Sequence, residues 1–135
     1  MKITRVTVWP VVMKLTEPYT IAYETVSTAV NVFLHLETNR GITGMGCAAP
    51  DLEVTGETVA QTLEALQGPV RDLLLNKDPL RLARRVDDVD KALDSQPSAL
   101  AAVDMALHDI LGKVAGLPLW VLLGGFRSQI GRAHV

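Results

Sequence analysis

The sequence predicts an α+β fold, with a three-stranded antiparallel sheet followed by a bundle of three to four helices. Two observations lead to this prediction. In the first third of the chain, apolar residues recur at every second position, which is the spacing of a half-buried strand. After Gly56 the spacing changes to the 3.6-residue period of helices. Strands and helices in separate blocks are typical of α+β domains, with the helices on one face of the sheet.

The first strand is predicted from Ile3 to Leu15, where β-branched and apolar residues dominate. Pro10 has no backbone N–H to donate, so we expect this strand to lie at a sheet edge or to carry a bulge there. A polar stretch then predicts a loop over Thr16–Thr28. Renewed alternation predicts a second strand over Val30–Glu37 and a third over Ile42–Ala49, and the turn residues Thr38–Gly41 between them predict a hairpin.

The rest of the chain predicts helices. The first begins at Thr58 and Gln61, which have the spacing of a capping box, and we expect Gly68 and Pro69 to interrupt it. The second helix is expected to run from the N-cap pair Asp78-Pro79 to about Leu93, with Arg85 on its outward face. The third is expected from Pro97 or Ser98 to Ala115, and the fourth from Pro118 to Leu123.

Length and composition exclude several classes of protein. At 135 residues the chain can bury the core of one domain and is too short for a barrel of about 250 residues. Its 13 basic and 15 acidic residues give a net charge of −2, which disfavours nucleic acid and anionic membranes as partners. The single cysteine, Cys47, excludes an internal disulfide and a cysteine-based zinc site, so we expect a cytoplasmic location. The mean hydropathy of +0.22 predicts that another surface covers part of this one.

One candidate site lies on the predicted third helix. Asp104 and His108 are four residues apart, a spacing at which two side chains can share a metal ion. Two ligands do not make a metal site, however. We therefore favour the alternative, in which Asp104 pairs with His108 and Asp109 pairs with Lys113 along the helix.

Two other polar groups leave a binding role and a structural role open. Around Tyr19 and Tyr23, tyrosines in a predicted loop either bind a ligand or cover the sheet edge. After the third strand, carboxylates either hold a ligand or lie at the start of a helix. The two groups are Glu17, Tyr19, Thr20, Tyr23, Glu24 and Thr25, and then Asp51, Glu53, Thr55, Glu57 and Thr58. The residues alone indicate no catalytic set.

The stretch from Ala99 to Gly124, ALAAVDMALHDILGKVAGLPLWVLLG, resembles the signature of the mandelate racemase/muconate lactonizing enzyme family of the enolase superfamily. The matching residues include Ala101, Ala102, Asp104, Ala106, Leu107, Asp109, Gly112, Lys113, Gly116, Pro118, Leu119, Leu122, Leu123 and Gly124. The order of sheet and helices resembles the family's N-terminal capping domain, so residues 1–125 are expected to form that domain.

This resemblance implies how the whole protein works. In the family, the capping domain precedes a modified TIM barrel whose carboxylates hold Mg²⁺ and whose Lys or His base removes a proton beside a carboxylate. The resemblance therefore implies a small carboxylate-bearing substrate, the chain's own C-terminal barrel and further copies of the chain as partners. It implies Mg²⁺ bound by the barrel, and no catalytic or metal-binding residue in this chain.

In the family, two loops of the capping domain close over the barrel mouth and contact the distal part of the substrate. By resemblance these loops are Leu15–Thr28 and Cys47–Glu57. The substrate-binding residues that the resemblance implies are Tyr19, Thr20, Tyr23, Thr25, Val54 and Thr55.

Two runs in these loops, TEPYTIAYETV and AAPDLEVTGET, resemble dipeptide epimerases and muconate cycloisomerases more than acid-sugar dehydratases. The chain departs from the GxGEAAP-like run of such relatives, because Cys47 follows Gly46 where they often have glutamate. We expect a Mg²⁺-dependent epimerase or cycloisomerase of which this chain is an inactive part, with an acid-sugar dehydratase as the alternative.

A hypothesis of another class is a stand-alone α+β module for binding or oligomerisation. The two classes differ in one respect: a capping domain leaves apolar side chains around Trp120, Leu122 and Leu123 exposed, whereas a stand-alone module covers them.

The end of the chain carries a further expectation. Residues 130–135, IGRAHV, have no counterpart in the family and match a translation of a common sequencing-adapter oligonucleotide. We expect residues 126–135 to be a tail, residues 130–135 to be non-native, and the natural protein to continue past about Ser128.

Overall fold

The computed structural model describes residues 1–22 and 24–127, so Tyr23 and the predicted tail beyond Arg127 lie outside the described residues. The predicted α+β architecture is confirmed. Three antiparallel strands form one sheet in the order β1-β2-β3. Their bounds are Ile3–Ile21 for β1, Glu24–Thr38 for β2 and Thr43–Ala48 for β3.

The helices follow the sheet in sequence, as predicted. The first helical run consists of α1, a π-helical turn and α2, and three further helices follow it. The bounds are Val59–Ala65 for α1, Leu66–Val70 for the π-helical turn, Arg71–Leu74 for α2, Leu82–Ala92 for α3, Pro97–Ala115 for α4 and Leu119–Leu122 for α5. Among the described residues, no helix combines the length and apolar character needed to cross a bilayer.

The prediction of a loop from Thr16 to Thr28 is wrong, because this region forms the far end of the β1-β2 hairpin. After a register shift beyond Lys14, Tyr19 pairs with Val26, Thr20 with Thr25 and Ile21 with Glu24. Threonine, isoleucine and valine favour strands, but most side chains of this segment are exposed. The apolar alternation that marks a half-buried strand is therefore missing. Pro10 lies on β1, an edge strand, as predicted.

One predicted feature of the helices is confirmed and one is wrong. Gly68 and Pro69 interrupt the first α-helix as predicted, because they lie in the π-helical turn that separates α1 from α2. The wider turn relieves the crowding that a proline ring causes in a regular α-helix. Asp78 does not cap a helix at Pro79. Its Oδ1 accepts a hydrogen bond from the Leu80 N–H at 3.0 Å in a turn, and α3 begins at Leu82.

The hydrophobic core lies between the helices and one face of the sheet, and β2 supplies its centre with Val32, Leu34 and Leu36. From the helical side α4 contributes most of the apolar residues, while α3 contributes Val89. Arg85, predicted to face outward, is 8% exposed and lies beside Asp88 instead. The fully buried residues of α4 are Ala99, Ala102, Val103, Ala106, Leu107 and Ile110.

Helix α4 packs directly on the backbone of β3. A Cβ on Gly46 would collide with the backbone carbonyl of Ala102, and a Cβ on Gly44 would collide with that of Ala106. The same Cβ on Gly44 would lie only 2.7 Å from Cγ1 of Ile110. Small residues on both elements therefore allow backbone-to-backbone contact.

Replacing Gly46 with alanine tests this contact. We expect the chain to lose about 3 kcal/mol of unfolding free energy, the upper end of the usual cost of overpacking, because neither backbone can move aside. Urea unfolding followed by circular dichroism measures the loss. Gly68→Ala is the matched control, since no atom lies within 4 Å of the position that a Cβ would take there. Equal stability of the two variants would contradict the close contact.

Candidate functional site

The candidate site is a groove at the end of the sheet, between the hairpin and the segment that follows β3. The outer part of β2 forms its floor, β1 contributes Tyr19 and Ile21, and residues 49–54 form the opposite wall. Its volume is about 550 Å³. The described lining residues are Tyr19, Ile21, Glu24, Val26, Thr28, Ala29, Val30, Asn31, Ala49, Pro50, Asp51, Leu52, Glu53 and Val54.

The wall after β3, residues 49–56, is called the covering loop here, and it is hydrogen-bonded within itself. Asp51 organises it: its Oδ1 accepts from the Glu53 N–H at 3.0 Å and from the Val54 N–H at 3.2 Å. Its carbonyl oxygen accepts from the Thr55 N–H at 2.7 Å and from the Gly56 N–H at 3.1 Å. Aspartate commonly makes such hydrogen bonds to nearby backbone N–H groups in turns, and here they fix the shape of the loop.

Two of the six predicted substrate-binding residues line the groove together. Tyr19 is 54% exposed on the hairpin and Val54 is 80% exposed on the covering loop. Thr20 and Thr25 do not line it, since their hydroxyl groups bond each other at 3.0 Å across the hairpin. Thr55 is turned into its own loop and donates to the Asp51 carbonyl at 2.9 Å. Tyr23 lies outside the described residues.

The groove combines apolar side chains with negative charge. Glu24, Asp51 and Glu53 bring three carboxylates to it, and the described lining residues include no lysine, arginine or histidine. None of the three carboxylates belongs to an ion pair within the described part of the chain. The groove therefore combines apolar contact surface with negative charge.

Glu57, which comes directly after the covering loop, has its carboxylate at the start of a helix, as the structural alternative for this group predicted, but the helix is α4 and not α1. Glu57 is 1% exposed, and its carboxylate accepts hydrogen bonds from the start of α4. A signal was present in the sequence: α4 begins Gln96-Pro97-Ser98, without the usual Ser, Thr, Asp or Asn as N-cap. Glu57, which lies 41 residues before Ser98 in the chain, takes the place of the missing N-cap acceptor.

The preferred interpretation of the α4 carboxylates is confirmed. Asp104 and His108 form a pair at 3.2 Å, and Asp109 and Lys113 form one at 2.9 Å. Asp109 also accepts a hydrogen bond from the Met45 N–H at 2.9 Å, and Lys113 donates to the Thr43 carbonyl at 2.7 Å. These side chains thus bind the free edge of β3 to α4.

No group of three or more His, Cys, Asp or Glu side chains in residues 1–22 and 24–127 is arranged to hold a metal ion.

A second exposed feature surrounds α5. Trp120 is 46% exposed, Leu123 71% and Phe126 92%, while Leu122 is half-buried. The expectation of an exposed apolar surface around Trp120 and Leu123 is confirmed. We call this surface the α5 patch, formed by Leu117, Trp120, Val121, Leu123 and Phe126.

Comparison with known proteins gives one consistent result. Residues 3–124 match the profile described as mandelate racemase/muconate lactonizing enzyme, N-terminal domain. The L-Lys-D/L-Arg epimerase of Desulforapulum autotrophicum is 48% identical over 130 residues, which are 96% of this chain and 37% of that protein.

Solved structures give the same fold. The dipeptide epimerase of Enterococcus faecalis V583, complexed with Mg and the dipeptide L-Leu-L-Tyr, superposes with a TM-score of 0.90 at 36% identity, covering 96% of this chain and 36% of that one. The dipeptide epimerase of Methylococcus capsulatus, complexed with Mg and L-Arg-D-Lys, gives 0.87 at 36% identity, covering 92% and 35%. The chain thus spans little more than a third of these relatives.

The bonds between α4 and the β3 edge can be tested with Asp109→Ala. This change leaves the Met45 N–H without its acceptor and Lys113 without its carboxylate, and we expect a loss of about 1.5 kcal/mol in unfolding free energy. Asp104→Ala is the control on the same helix. It removes only a partly exposed pair and should cost less than about 0.5 kcal/mol in the same urea titration. A larger loss for Asp104→Ala than for Asp109→Ala would contradict this assignment.

Proposed function

Because the chain belongs to the mandelate racemase/muconate lactonizing enzyme family, as its N-terminal domain, we propose that it covers the active site of a dipeptide epimerase. Residues 1–125 form the covering domain in this proposal. The reaction is removal and return of a proton beside a carboxyl-derived group of a small substrate. In this proposal the base and the Mg²⁺ ligands belong to the C-terminal barrel of the full-length protein.

The groove is the observation that carries this proposal. It lies where the hairpin and the covering loop face each other, and its apolar and acidic lining suits the distal side chain of a dipeptide. Tyr19 and Val54 supply contact surface in the proposal. Thr20, Thr25 and Thr55 shape the two walls, and Tyr23 remains a predicted binding residue on its sequence position.

The charge of the groove favours a cationic dipeptide. Glu24 and Glu53 have no basic partner among the described ion pairs, and Asp51 uses one carboxylate oxygen for its own loop. A lysine or arginine side chain would bring its aliphatic stem against the apolar lining and its charge to the carboxylates. The relative that is 48% identical is named an L-Lys-D/L-Arg epimerase, which supports the same choice.

The α5 patch provides the contact with the barrel in this proposal. Its side chains are large, apolar and close together along the chain, and exposed apolar patches commonly mark contact surfaces. The patch also disfavours the stand-alone module, which would cover these residues. Assembly into homo-oligomers and the cytoplasmic location stay predictions.

An α-proton exchange assay on the full-length protein with Mg²⁺ tests the proposed reaction. We expect exchange with dipeptides whose distal residue is lysine or arginine, and weaker exchange with leucine at that position. The 135-residue chain alone should show none. Full-length protein that exchanges no dipeptide α-proton would contradict the proposal.

The double variant Glu24→Gln/Glu53→Gln tests the cationic preference in the full-length protein. We expect the preference for lysine over leucine dipeptides to fall about tenfold, mostly through KM, because two charge contacts of up to about 1 kcal/mol each are lost. Glu64→Gln is the matched control, since Glu64 is a residue of α1 outside the groove. An unchanged preference in the double variant would exclude these carboxylates as its source.

The proposed contact with the barrel is tested by Leu123→Asp/Phe126→Asp. In the full-length protein we expect a loss of more than about 2 kcal/mol of unfolding free energy, because two charges enter an apolar contact. In the 135-residue chain the loss should stay below about 0.5 kcal/mol, since both side chains are exposed there. Urea unfolding of both proteins measures the difference, with Val12→Asp on β1 as the control. Equal losses in the two proteins would mean that nothing covers the patch.

A further inference from the structure

The N-terminus of α4 is capped by a residue that is distant in the sequence. Helix α4 is the longest helix of the described chain, and its N-cap residue, Gln96, makes no side-chain capping bond. Pro97 has no N–H, so the first free donors belong to Ser98 and Ala99. Such donors, together with the helix dipole, attract a negative charge.

Glu57 supplies that charge. Its Oε1 accepts from the Ser98 N–H at 2.9 Å and, through a short bond, from the Ser98 hydroxyl group. Its Oε2 faces the Ala99 N–H at 3.4 Å. Glu57 is 1% exposed and Ser98 is 7% exposed. A buried carboxylate is stable only where its donors are placed correctly, so this set of bonds holds Glu57 in one position.

The covering loop is therefore anchored by a buried residue at each end. It leaves the sheet at Ala48, which is fully buried, and returns to the core at Glu57. Between them six of the eight residues are exposed, and the loop has its own hydrogen bonds around Asp51. Gly56 joins the loop to Glu57 with a φ of +73° and no neighbouring atom within 4 Å of a Cβ at that position. The buried carboxylate of Glu57 is therefore the first fixed contact after the loop, one residue beyond its end.

We infer that Glu57 is a positioning residue: its carboxylate, held by the start of α4, sets where the covering loop lies over the distal side chain of the substrate. This inference rests on the proposed function, because the loop has a substrate to cover only if the domain covers an active site. Glu57 itself touches no reacting atom. Its effect should therefore depend on the length of the distal side chain, whereas an effect on stability alone would not.

Glu57→Gln in the full-length protein tests the inference. The variant keeps the shape of the side chain but removes its charge and turns amide hydrogens toward the α4 donors. We expect kcat/KM for lysine-containing dipeptides to fall about tenfold through KM, because a displaced loop loses its contacts with the distal side chain. For a dipeptide with alanine at that position we expect less than about a threefold change. Ser98→Ala removes one of the donors and should shift the same values in the same direction by a smaller factor.

Val89→Ala separates positioning from stability. Val89 is fully buried on α3, so its truncation destabilises the domain without touching the covering loop. We expect it to leave both KM values unchanged at a temperature where the protein is folded. If Glu57→Gln matches Val89→Ala in its kinetics, the inference is overturned although the proposed function stands.

Hydrogen exchange gives a readout that needs no activity. In Glu57→Gln the Thr55 and Gly56 amides should exchange at least about tenfold faster, while the Thr62 amide in α1 should keep its rate. Unchanged Thr55 and Gly56 rates would overturn the inference on their own. Absence of dipeptide exchange in the unmodified full-length protein, with faster amide exchange in the variant, would overturn the proposed function and with it the role toward substrate.

Discussion

The backbone contact between α4 and β3 is the constraint on which the rest of the structure depends. Gly44 and Gly46 remove the side chains that would separate the two elements, and Ala102 and Ala106 present their carbonyl groups at that surface. The helix axis is therefore set by main-chain atoms, which have no alternative rotamers. Interiors packed this closely transmit small displacements instead of absorbing them.

Two sets of polar contacts follow from this placement. Near its C-terminal end, α4 brings Asp109 and Lys113 to the outer edge of β3, where an unpaired N–H and carbonyl group would otherwise face solvent. At its start, the same helix brings the Ser98 donors to Glu57. One helix thus closes a sheet edge and anchors the segment next to the groove, so the geometry of the candidate site depends on core packing at some distance from it.

The sequence predicted those strands and helix ends that depend on hydrophobic spacing and on neighbouring residues in the chain. The alternation in β2, the capping box at Thr58, the start of α4 at Pro97 and its end at Ala115 all agree with the structure. The hairpin end was missed because a ribbon exposed on both faces has no apolar alternation. The π-helical turn at Pro69 and the link from Glu57 to Ser98 depend on tertiary neighbours. The groove was predicted only as two separate segments, since nothing in a sequence gives the distance between them.

The two walls of the groove differ in their ties to the core. The covering loop is held at both ends by buried residues, whereas the hairpin end is a two-stranded ribbon whose described side chains are mostly exposed. Substitutions on the ribbon therefore remove little buried contact and cost little folding free energy. A lineage could exchange Tyr19, Ile21 or Glu24 and change what the groove accepts without first acquiring compensating stability. Under the proposed role of the groove, a change of specificity would therefore cost the least folding free energy on this wall.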